Sequence, residues 1–453
     1  MAYLTDTYII KNCQLLKSSN LPGFLTKKSK HSLHQFLASC HTKKGFQLDQ
    51  VEGFHSLWKQ LLSDAITYLK LKDKREYQHR NYPRDKVAFG VDRLCSYFRE
   101  YHEFEALLYA DRFYRDHVIH VFRVWLLGIW LMERYENRIR WDLKPLNGRA
   151  QDMKISINEL SAMWCIIALT HDLGYPLDKI DRIKRKIDAM MSYFGGAGSS
   201  GRGFEIPTHH HFINDFILRF ISSKLALASR DQCETKDLCY KTELQSKYYL
   251  KFSKSFENFD HGIISCIVLM KNLVYFLESD FDLSKPFTNS EDARQFYIRR
   301  EILRSIASHT CPDIYHLYPN TLSFILIVAD ELQQWGRPTL AELKGLPRVE
   351  TRVKVPTISL DSIKVELELD VRKDHSAHKE DHEELFFEMS RTWHKRLRSA
   401  LDAGKRSFDF LLSARVVLKG GEVTTYRFEN EPLNMVKLTK DGKKQVLTQT
   451  LYQ

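Results

Sequence analysis

A histidine and an aspartate stand side by side at the end of an apolar stretch, in the segment IIALTHDLGYP at 166–176. Consecutive residues of a helix point about 100° apart, so His171 and Asp172 cannot both face a packed core. Both can reach a group beyond the helix end, because Gly174 permits a sharp exit and Pro176 prevents the helix from continuing. Imidazole nitrogens and carboxylate oxygens are common ligands of divalent cations. The pair therefore predicts a metal site.

Other apolar stretches offer the further ligands that a cation needs. His120 lies within HVFRV, inside the most apolar stretch of the chain, and Asp330 interrupts FILIVADEL. An unpaired carboxylate in such a place would cost several kcal/mol unless a cation or hydrogen bonds compensated for it. His261 opens DHGIISCIVLM and His309 closes ILRSIASHT. We expect these side chains to meet at one site.

The order of these residues, H…HD…D, resembles that of the HD superfamily of metal-dependent phosphohydrolases over about residues 110–340. The resemblance implies an all-helical core and a divalent metal that activates water against a phosphoester or phosphoanhydride. The two added histidines fit the branch with the order H…HD…H…H…D, in which they bind a second metal and the aspartate of the HD pair bridges both. One or two ions of Mn, Mg, Fe, Co or Zn are the implied cofactors. The implied ligands are His120, His171, Asp172, His261, His309 and Asp330.

Proton transfer would fall to a histidine near the metal. His117 lies one turn before His120 and is predicted either to donate a proton or to orient a ligand. We therefore predict His117 and Asp172 as catalytic residues. A bound metal would lower the pKa of water toward neutrality and neutralise charge on the phosphoryl oxygens.

Basic side chains near the HD pair could position a phosphorylated substrate. Arg123 lies one turn beyond His120, and Lys179, Arg182 and Lys186 share one helical face directly after the HD turn. A solvated charged face is the equal alternative for the three residues at 179–186.

Three further segments contain residues that could bind a metal or a phosphate, but another interpretation is favoured for each. His209 to His211 are adjacent and diverge on a helix, so at most one of them would reach a metal. The glycine-rich segment 194–204 lacks the ending of a phosphate-binding P-loop, so it is interpreted as a linker or as a lid over the site. His375, His378 and His382 could hold zinc, but a solvated charged face is favoured.

The 453 residues are too many for one compact domain. Helical periodicity divides the chain into an N-terminal region at 1–85 and a core at 86–345 with an insertion at about 181–255. From 346 to 453 two strand-like pairs flank a helical pattern, which predicts a small α+β domain. The predicted fold class is therefore mainly α, with an HD-type helical core and a C-terminal α+β part.

Composition limits the partners. The chain has 68 basic and 57 acidic residues and a net charge of +11, which suits a nucleotide or, through a basic surface, a nucleic acid. The eight cysteines form no CxxC pair and are predicted to be reduced core thiols. The start lacks the features of a secretory signal, and the most apolar stretch is too short to cross a bilayer, so we expect a cytoplasmic protein without a membrane partner. The resemblance also makes a homo-oligomer plausible.

The predicted function is hydrolysis of a phosphoester or phosphoanhydride in a nucleotide-like small molecule. Two alternatives stay open: a phosphodiesterase acting on cyclic nucleotides or oligonucleotides, and a non-catalytic HD-type nucleotide sensor or nucleic-acid-binding protein. The segment HDLGYP is also similar to the HDxGHP of nucleoside triphosphate hydrolases. In family members that cleave cyclic dinucleotides Gly-Tyr-Pro follows the third histidine motif, so the GYP at 174–176 does not predict that substrate.

Overall fold

A computed structural model gives the fold of the chain. It describes residues 2–17, 20–42, 51–71, 90–109, 115–135, 155–192, 208–228, 240–277, 286–287, 290–314, 320–337, 350–359, 362–370, 409–417, 423–430, 433–438 and 444–447. The helices are α1 (Asp6–Asn12), α2 (Lys27–Thr42), α3 (Val51–Leu71), α4 (Val91–Leu108), α5 (Val118–Arg134), α6 (Ile157–Thr170), α7 (Tyr175–Ser192), α8 (Thr208–Ser222), α9 (Ser246–Glu257), α10 (His261–Asn272), α11 (Val274–Leu277), α12 (Ser290–Ser308) and α13 (Leu322–Leu332). The strands are β1 (Ser223–Leu227), β2 (Tyr240–Leu244), β3 (Glu350–Ile358), β4 (Ser362–Asp370), β5 (Asp409–Val417), β6 (Val423–Asn430), β7 (Leu433–Leu438) and β8 (Lys444–Leu447).

Helix α6 carries the HD pair, and local signals fix both of its ends. It begins with a capping box, in which the Ser156 hydroxyl accepts from the Glu159 amide and the Glu159 carboxylate accepts from the Ser156 amide. It ends at His171, which forms its C-terminal cap. The prediction that the helix stops at the HD pair is confirmed.

Helices α5 and α6 form the centre of the core. Every residue of α5 from Val118 to Met132 is buried, which explains why that stretch is the most apolar of the chain. The two helices approach closely where Gly128 lies against the Trp164 ring, whose indole N–H donates to the Trp125 carbonyl at 3.0 Å. Their packing holds the start of α5 beside the end of α6.

The N-terminal helices share this core. Trp58 of α3 is fully buried and donates its indole N–H to the Leu169 carbonyl of α6 at 2.9 Å. The ring of Phe54 lies 5.4 Å from that of Phe122 in α5. The N-terminal helical pattern is confirmed, whereas the domain boundaries at 85 and 345 stay predictions.

The turn after α6 is held by close contact with α10. The Ser265 hydroxyl donates to the His171 carbonyl at 2.6 Å and accepts from the Gly174 amide at 2.8 Å. A Cβ atom on Gly174 would lie 2.3 Å from the His261 carbonyl oxygen. Glycine is thus required here by the approach of α10 and not by a left-handed backbone, since its φ is not positive. Pro176 is the second residue of α7 and lies in its first turn, where a proline is tolerated because the amide there needs no partner within the helix.

Two antiparallel strands and two helices extend the helical body within the predicted insertion. Strands β1 and β2 form a hairpin in which Ser223 pairs with Leu244. Helix α8 packs against α9, α10 and α12, and the Arg304 guanidinium of α12 donates to the Ile221 carbonyl at 2.7 Å. This segment therefore lies against the helices that carry His261 and His309.

The C-terminal strands form one sheet in the order β3-β4-β5-β6-β7-β8. Only the β4–β5 pair is parallel among these neighbours. The predicted strand pairs β3–β4 and β5–β6 are confirmed, β7 and β8 were not predicted, and the helix predicted between β4 and β5 lies outside the described residues. The Leu4 amide donates to the Val353 carbonyl at 2.7 Å, which ties the N-terminal segment to β3. The mainly helical class with a small sheet-containing part is confirmed.

The cysteines among the described side chains are free and buried, as predicted: Cys13, Cys95, Cys165, Cys266 and Cys311. In the part of the chain that is described, no helix combines the length and the apolar character that crossing a bilayer requires.

The contact between α5 and α6 generates a stability prediction. A Cβ atom on Gly128 would lie 1.8 Å from the Trp164 ring, so Gly128→Ala should force the helices apart and destabilise the fold by about 1–3 kcal/mol. Gly53→Ala in α3 is the matched control, because a Cβ there meets nothing within 4 Å and alanine favours a helix by up to about 1 kcal/mol. Urea unfolding midpoints measure both; equal midpoints for the two variants would contradict the packing described here.

Candidate metal centre

The carboxylate of Asp172 lies between two pairs of imidazole rings. Its Oδ2 atom is 3.6 Å from His120 Nε2 and 3.4 Å from His171 Nε2. Its Oδ1 atom is 3.4 Å from His261 Nε2 and 3.7 Å from His309 Nε2. One carboxylate thus presents each oxygen to a different pair of histidines.

Asp330 completes the first of these groups. Its Oδ1 atom lies 3.0 Å from His120 Nε2 and 4.0 Å from His171 Nε2. The candidate ligand atoms of His120, His171 and Asp330 all lie within 4.8 Å of one another, and so do those of His171, Asp172 and His309. The structure therefore brings all six predicted ligands into one buried cluster that could hold a metal.

Helix ends supply most of these side chains. His120 lies in the first turn of α5, His171 and Asp172 follow α6, His261 opens α10 and His309 follows α12. Residues at helix ends can point along the helix axis, so apolar helices can pack side by side while their ends converge on a polar site. Asp330, near the end of α13, projects into the same space.

The other ring nitrogen of each histidine is held by an acceptor. These contacts are His120 Nδ1 with Gln333 Oε1 at 2.5 Å, His171 Nδ1 with the Ala168 carbonyl at 2.9 Å, His309 Nδ1 with the Ile306 carbonyl at 2.5 Å, and His261 Nδ1 with Asp178 Oδ2 at 3.4 Å. A neutral imidazole that donates from Nδ1 has a lone pair on Nε2. At His120, His171 and His309 the Nε2 lone pairs then face the carboxylates.

Lone pairs that face carboxylate oxygens repel unless a cation lies between them. The Nε2 atoms of His171 and His309 are buried and have no hydrogen-bond partner. Burial lowers the pKa of His120, His171 and His309. Protonation of these rings, which would also relieve the repulsion, is therefore disfavoured. Divalent metal ions are the cations that this set of nitrogen and oxygen donors fits.

Two groups of the cluster depart from that neutral pattern. Burial alone would lower the pKa of His261, but its hydrogen bonds to Asp172 and Asp178 outweigh burial and raise that pKa to about 9. Burial would raise the pKa of the Asp172 carboxyl, but the nearby imidazoles, His171 foremost, hold it well below its ordinary value. Asp172 is therefore ionised at neutral pH and can bridge two cations.

Three members of the cluster, Asp172, His261 and Asp330, line a pocket of about 220 Å³. Four predicted site residues line it: His117, Asp172, His261 and Asp330. Sequence reasoning missed the others, which are Arg115, Tyr175, Glu331, Gln334 and Arg337. The sequence feature that could have identified these residues is their proximity along the chain, since each lies within seven residues of a predicted ligand or of His117.

His117 reaches the pocket from the N-terminal cap of α5. Its ring contacts that of Tyr175 with the centroids 3.9 Å apart and the planes tilted by 31°, and its backbone amide donates to Glu105 Oε1 at 2.7 Å. Burial holds the pKa of His117 well below its ordinary value. The ring is therefore neutral at pH 7. The sequence predicted either a proton donor or a residue that orients a ligand, and a neutral ring does not favour the donor.

The predicted substrate-binding residues have different positions. Arg123 does not line the pocket: its Nε atom lies 3.1 Å from Asp6 Oδ1 and its Nη1 atom donates to the Gly336 carbonyl at 2.5 Å. Arg123 therefore stabilises the fold, because a buried guanidinium must be paired. The Lys179 ammonium contacts Asp178 Oδ2 at 2.7 Å, the carboxylate that also faces His261.

Other predicted groups are only partly described. Arg182 and Lys186 lie on α7, but their side chains are outside the described part of the structure. His211 is exposed on α8. The side chains of His209 and His210, the glycine-rich segment and His375, His378 and His382 also lie outside the described residues.

Comparisons with protein-family models, with curated proteins and with solved structures found no match. The geometry itself is the basis for assigning a chemistry. A buried carboxylate between two sets of imidazoles, open to a pocket with arginine on its wall, can hold metal ions and receive an anion above them.

The bridging position of Asp172 predicts two metal ions per chain. Protein loaded with Mn²⁺ and desalted should hold two ions by elemental analysis. His309→Ala should retain one ion, and Asp172→Asn should lose both, because an amide lacks the charge that two cations share. His211→Ala, an exposed histidine of α8, is the control and should keep two. If the parent protein and His309→Ala each hold one ion per chain, Asp172 does not bridge two metal ions.

The contact between Gln333 and His120 predicts an effect on metal affinity. Gln333→Met keeps the side-chain length but removes the acceptor that orients His120, so affinity for Mn²⁺ should fall by about 10- to 100-fold. Gln334→Met is the matched control, since Gln334 bonds Arg115 and no predicted ligand. Competition titration with a fluorescent chelator gives both affinities. Parental affinity in Gln333→Met would show that this hydrogen bond does not orient the ligand.

Proposed function

We propose that this chain is a metal-dependent phosphohydrolase of the HD type, which cleaves a phosphoester or phosphoanhydride bond in a nucleotide-like substrate. The observation that carries the proposal is the Asp172 carboxylate, which lines a pocket and is held between two pairs of imidazole Nε2 atoms. The order of the six candidate ligands along the chain is the second support, because it is the order H…HD…H…H…D.

The residues that would hold the ions form two sets around the shared aspartate. His120 and His171 face Asp172 Oδ2 and are joined by Asp330, which contacts both of these histidines, whereas His261 and His309 face Asp172 Oδ1. When bound, divalent ions in such a pair lower the pKa of water and offset the negative charge of phosphoryl oxygens.

The remaining pocket residues would handle protons and charge. His117 lines the pocket beside the cluster as a neutral ring and can accept a hydrogen bond from the attacking water. Its contact with the Tyr175 ring restricts the orientation of the imidazole. The net charge of +11 over the whole chain favours approach of a polyanionic substrate.

Chromatographic analysis of the products from a substrate panel tests the proposal, because cleavage of a cyclic nucleotide or an oligonucleotide releases no inorganic phosphate. The panel holds nucleoside mono-, di- and triphosphates, cyclic nucleotides and a short oligonucleotide, each with Mn²⁺, Mg²⁺ or Co²⁺. We expect turnover of at least one phosphorylated small molecule and a loss of at least about a hundredfold in His171→Ala and Asp172→Asn. His211→Ala and Asp92→Asn, two substitutions of exposed residues, should keep parental turnover.

The pattern of products separates the alternatives. Cleavage confined to cyclic nucleotides or to the oligonucleotide would favour the phosphodiesterase. If the unsubstituted protein binds metal but cleaves no substrate of the panel, the hydrolase is refuted and a sensor that binds nucleotide without cleaving it is favoured.

A further inference from the structure

Two arginines line the pocket beside the candidate metal ligands. Arg337 belongs to the turn after α13, and Arg115 lies just before α5. Neither was predicted from the sequence, and the predicted Arg123 is paired elsewhere. The positive charge on the pocket wall therefore comes from residues outside the helices that carry the ligands.

Arg337 is held rigidly at this position. Its side chain is 8% exposed, and its Nε atom donates to the Asp116 carbonyl at 2.9 Å. The preceding Gly336 has a φ of +64°, and a Cβ atom there would lie 2.5 Å from Arg123 Nη2, so the turn admits little but glycine. The indole N–H of Trp335 donates to Asp6 Oδ1 at 2.8 Å and anchors the turn further. A guanidinium fixed in this way loses little freedom when it binds a ligand.

Arg337 lies beside the cluster. It lines the same pocket as Asp172, His261 and Asp330, three of the candidate metal ligands. A buried cation beside histidines that would themselves hold metal ions raises the local positive charge, and an anion is the group that this arrangement attracts.

Arg115 is oriented from the same turn. Its Nη1 atom donates to Gln334 Oε1 at 2.8 Å. Residues 333–337 thus orient His120 through Gln333, orient Arg115 through Gln334 and supply Arg337. One short segment couples a candidate metal ligand to both arginines.

We propose that Arg337, assisted by Arg115, binds the phosphoryl oxygens of the substrate above the metal cluster. This inference rests on the proposed function. The planar fork of a guanidinium donates two parallel hydrogen bonds to a phosphate, which a lysine cannot reproduce. Arg337 thus positions the substrate in the pocket. The part of the substrate that it recognises is a phosphoryl group with at least two free oxygens.

Binding of inorganic phosphate to the Mn²⁺-loaded protein tests the assignment without requiring turnover. Isothermal titration calorimetry should show that Arg337→Gln weakens phosphate binding by at least about tenfold while the metal content stays parental. Arg337→Lys should remain several-fold weaker than the parent because the fork is lost. Arg304→Gln is the matched control, since Arg304 also donates its Nε to a backbone carbonyl but does not line the pocket; it should bind phosphate as the parent does.

Kinetics on a cleaved substrate give a second measurement. Arg337→Gln should raise KM by at least about tenfold, and Arg115→Gln should raise it less, because Arg115 is only half-buried. A merely structural arginine would change neither KM nor phosphate affinity once metal content is equal.

The outcomes separate this inference from the proposed function. Parental phosphate affinity in Arg337→Gln, with turnover intact, would overturn the role of Arg337 and leave the hydrolase standing. A parent protein that neither binds phosphate nor cleaves any substrate would overturn both. If Arg337→Gln does not fold, Arg337→Lys and Arg115→Gln decide the matter, and parental phosphate affinity in both would refute the assignment.

Discussion

The structure depends on one buried carboxylate. Asp172 is 3% exposed and lies among four imidazole nitrogens, in a place where an uncompensated charge would be strongly destabilising. The Nδ1 acceptors point all four Nε2 atoms toward this carboxylate. His261 is held there as a hydrogen-bond donor, whereas the lone pairs of the neutral His171 and His309 rings suit a cation. Buried apolar helices pack around the cluster on the sides away from the pocket, and the attraction between a carboxylate and a cation is stronger there than in water.

A second constraint links this cluster to the rest of the fold. The turn at 333–337 contacts His120 through Gln333 and reaches α1 through Trp335 and Asp6. Arg123 closes the same network by pairing with Asp6 and donating to the turn. These groups are buried together, so loss of one leaves the others unsatisfied. The network keeps a candidate metal ligand and the arginine wall of the pocket in fixed relation.

Groups of both charges line the pocket. Asp172, Asp330 and Glu331 contribute carboxylates, and Arg115 and Arg337 contribute guanidinium groups. Cations held by the cluster would offset the carboxylates of Asp172 and Asp330 and would make the lining more positive. A phosphoryl group, with anionic oxygens around an electrophilic phosphorus, is the chemical group that we propose for this space.

The sequence by itself determined most helices of the core and the six candidate ligands. Capping signals and apolar periodicity act within one or two turns, and a histidine or aspartate at the end of an apolar helix is visible in the same short window. Only the tertiary structure decided which arginine faces the pocket. Arg123 meets Asp6, which is 117 residues distant, whereas Arg337 lies in a turn whose course is set by that same pair. The partner of a buried charge is chosen by packing between remote segments, and no local pattern records it.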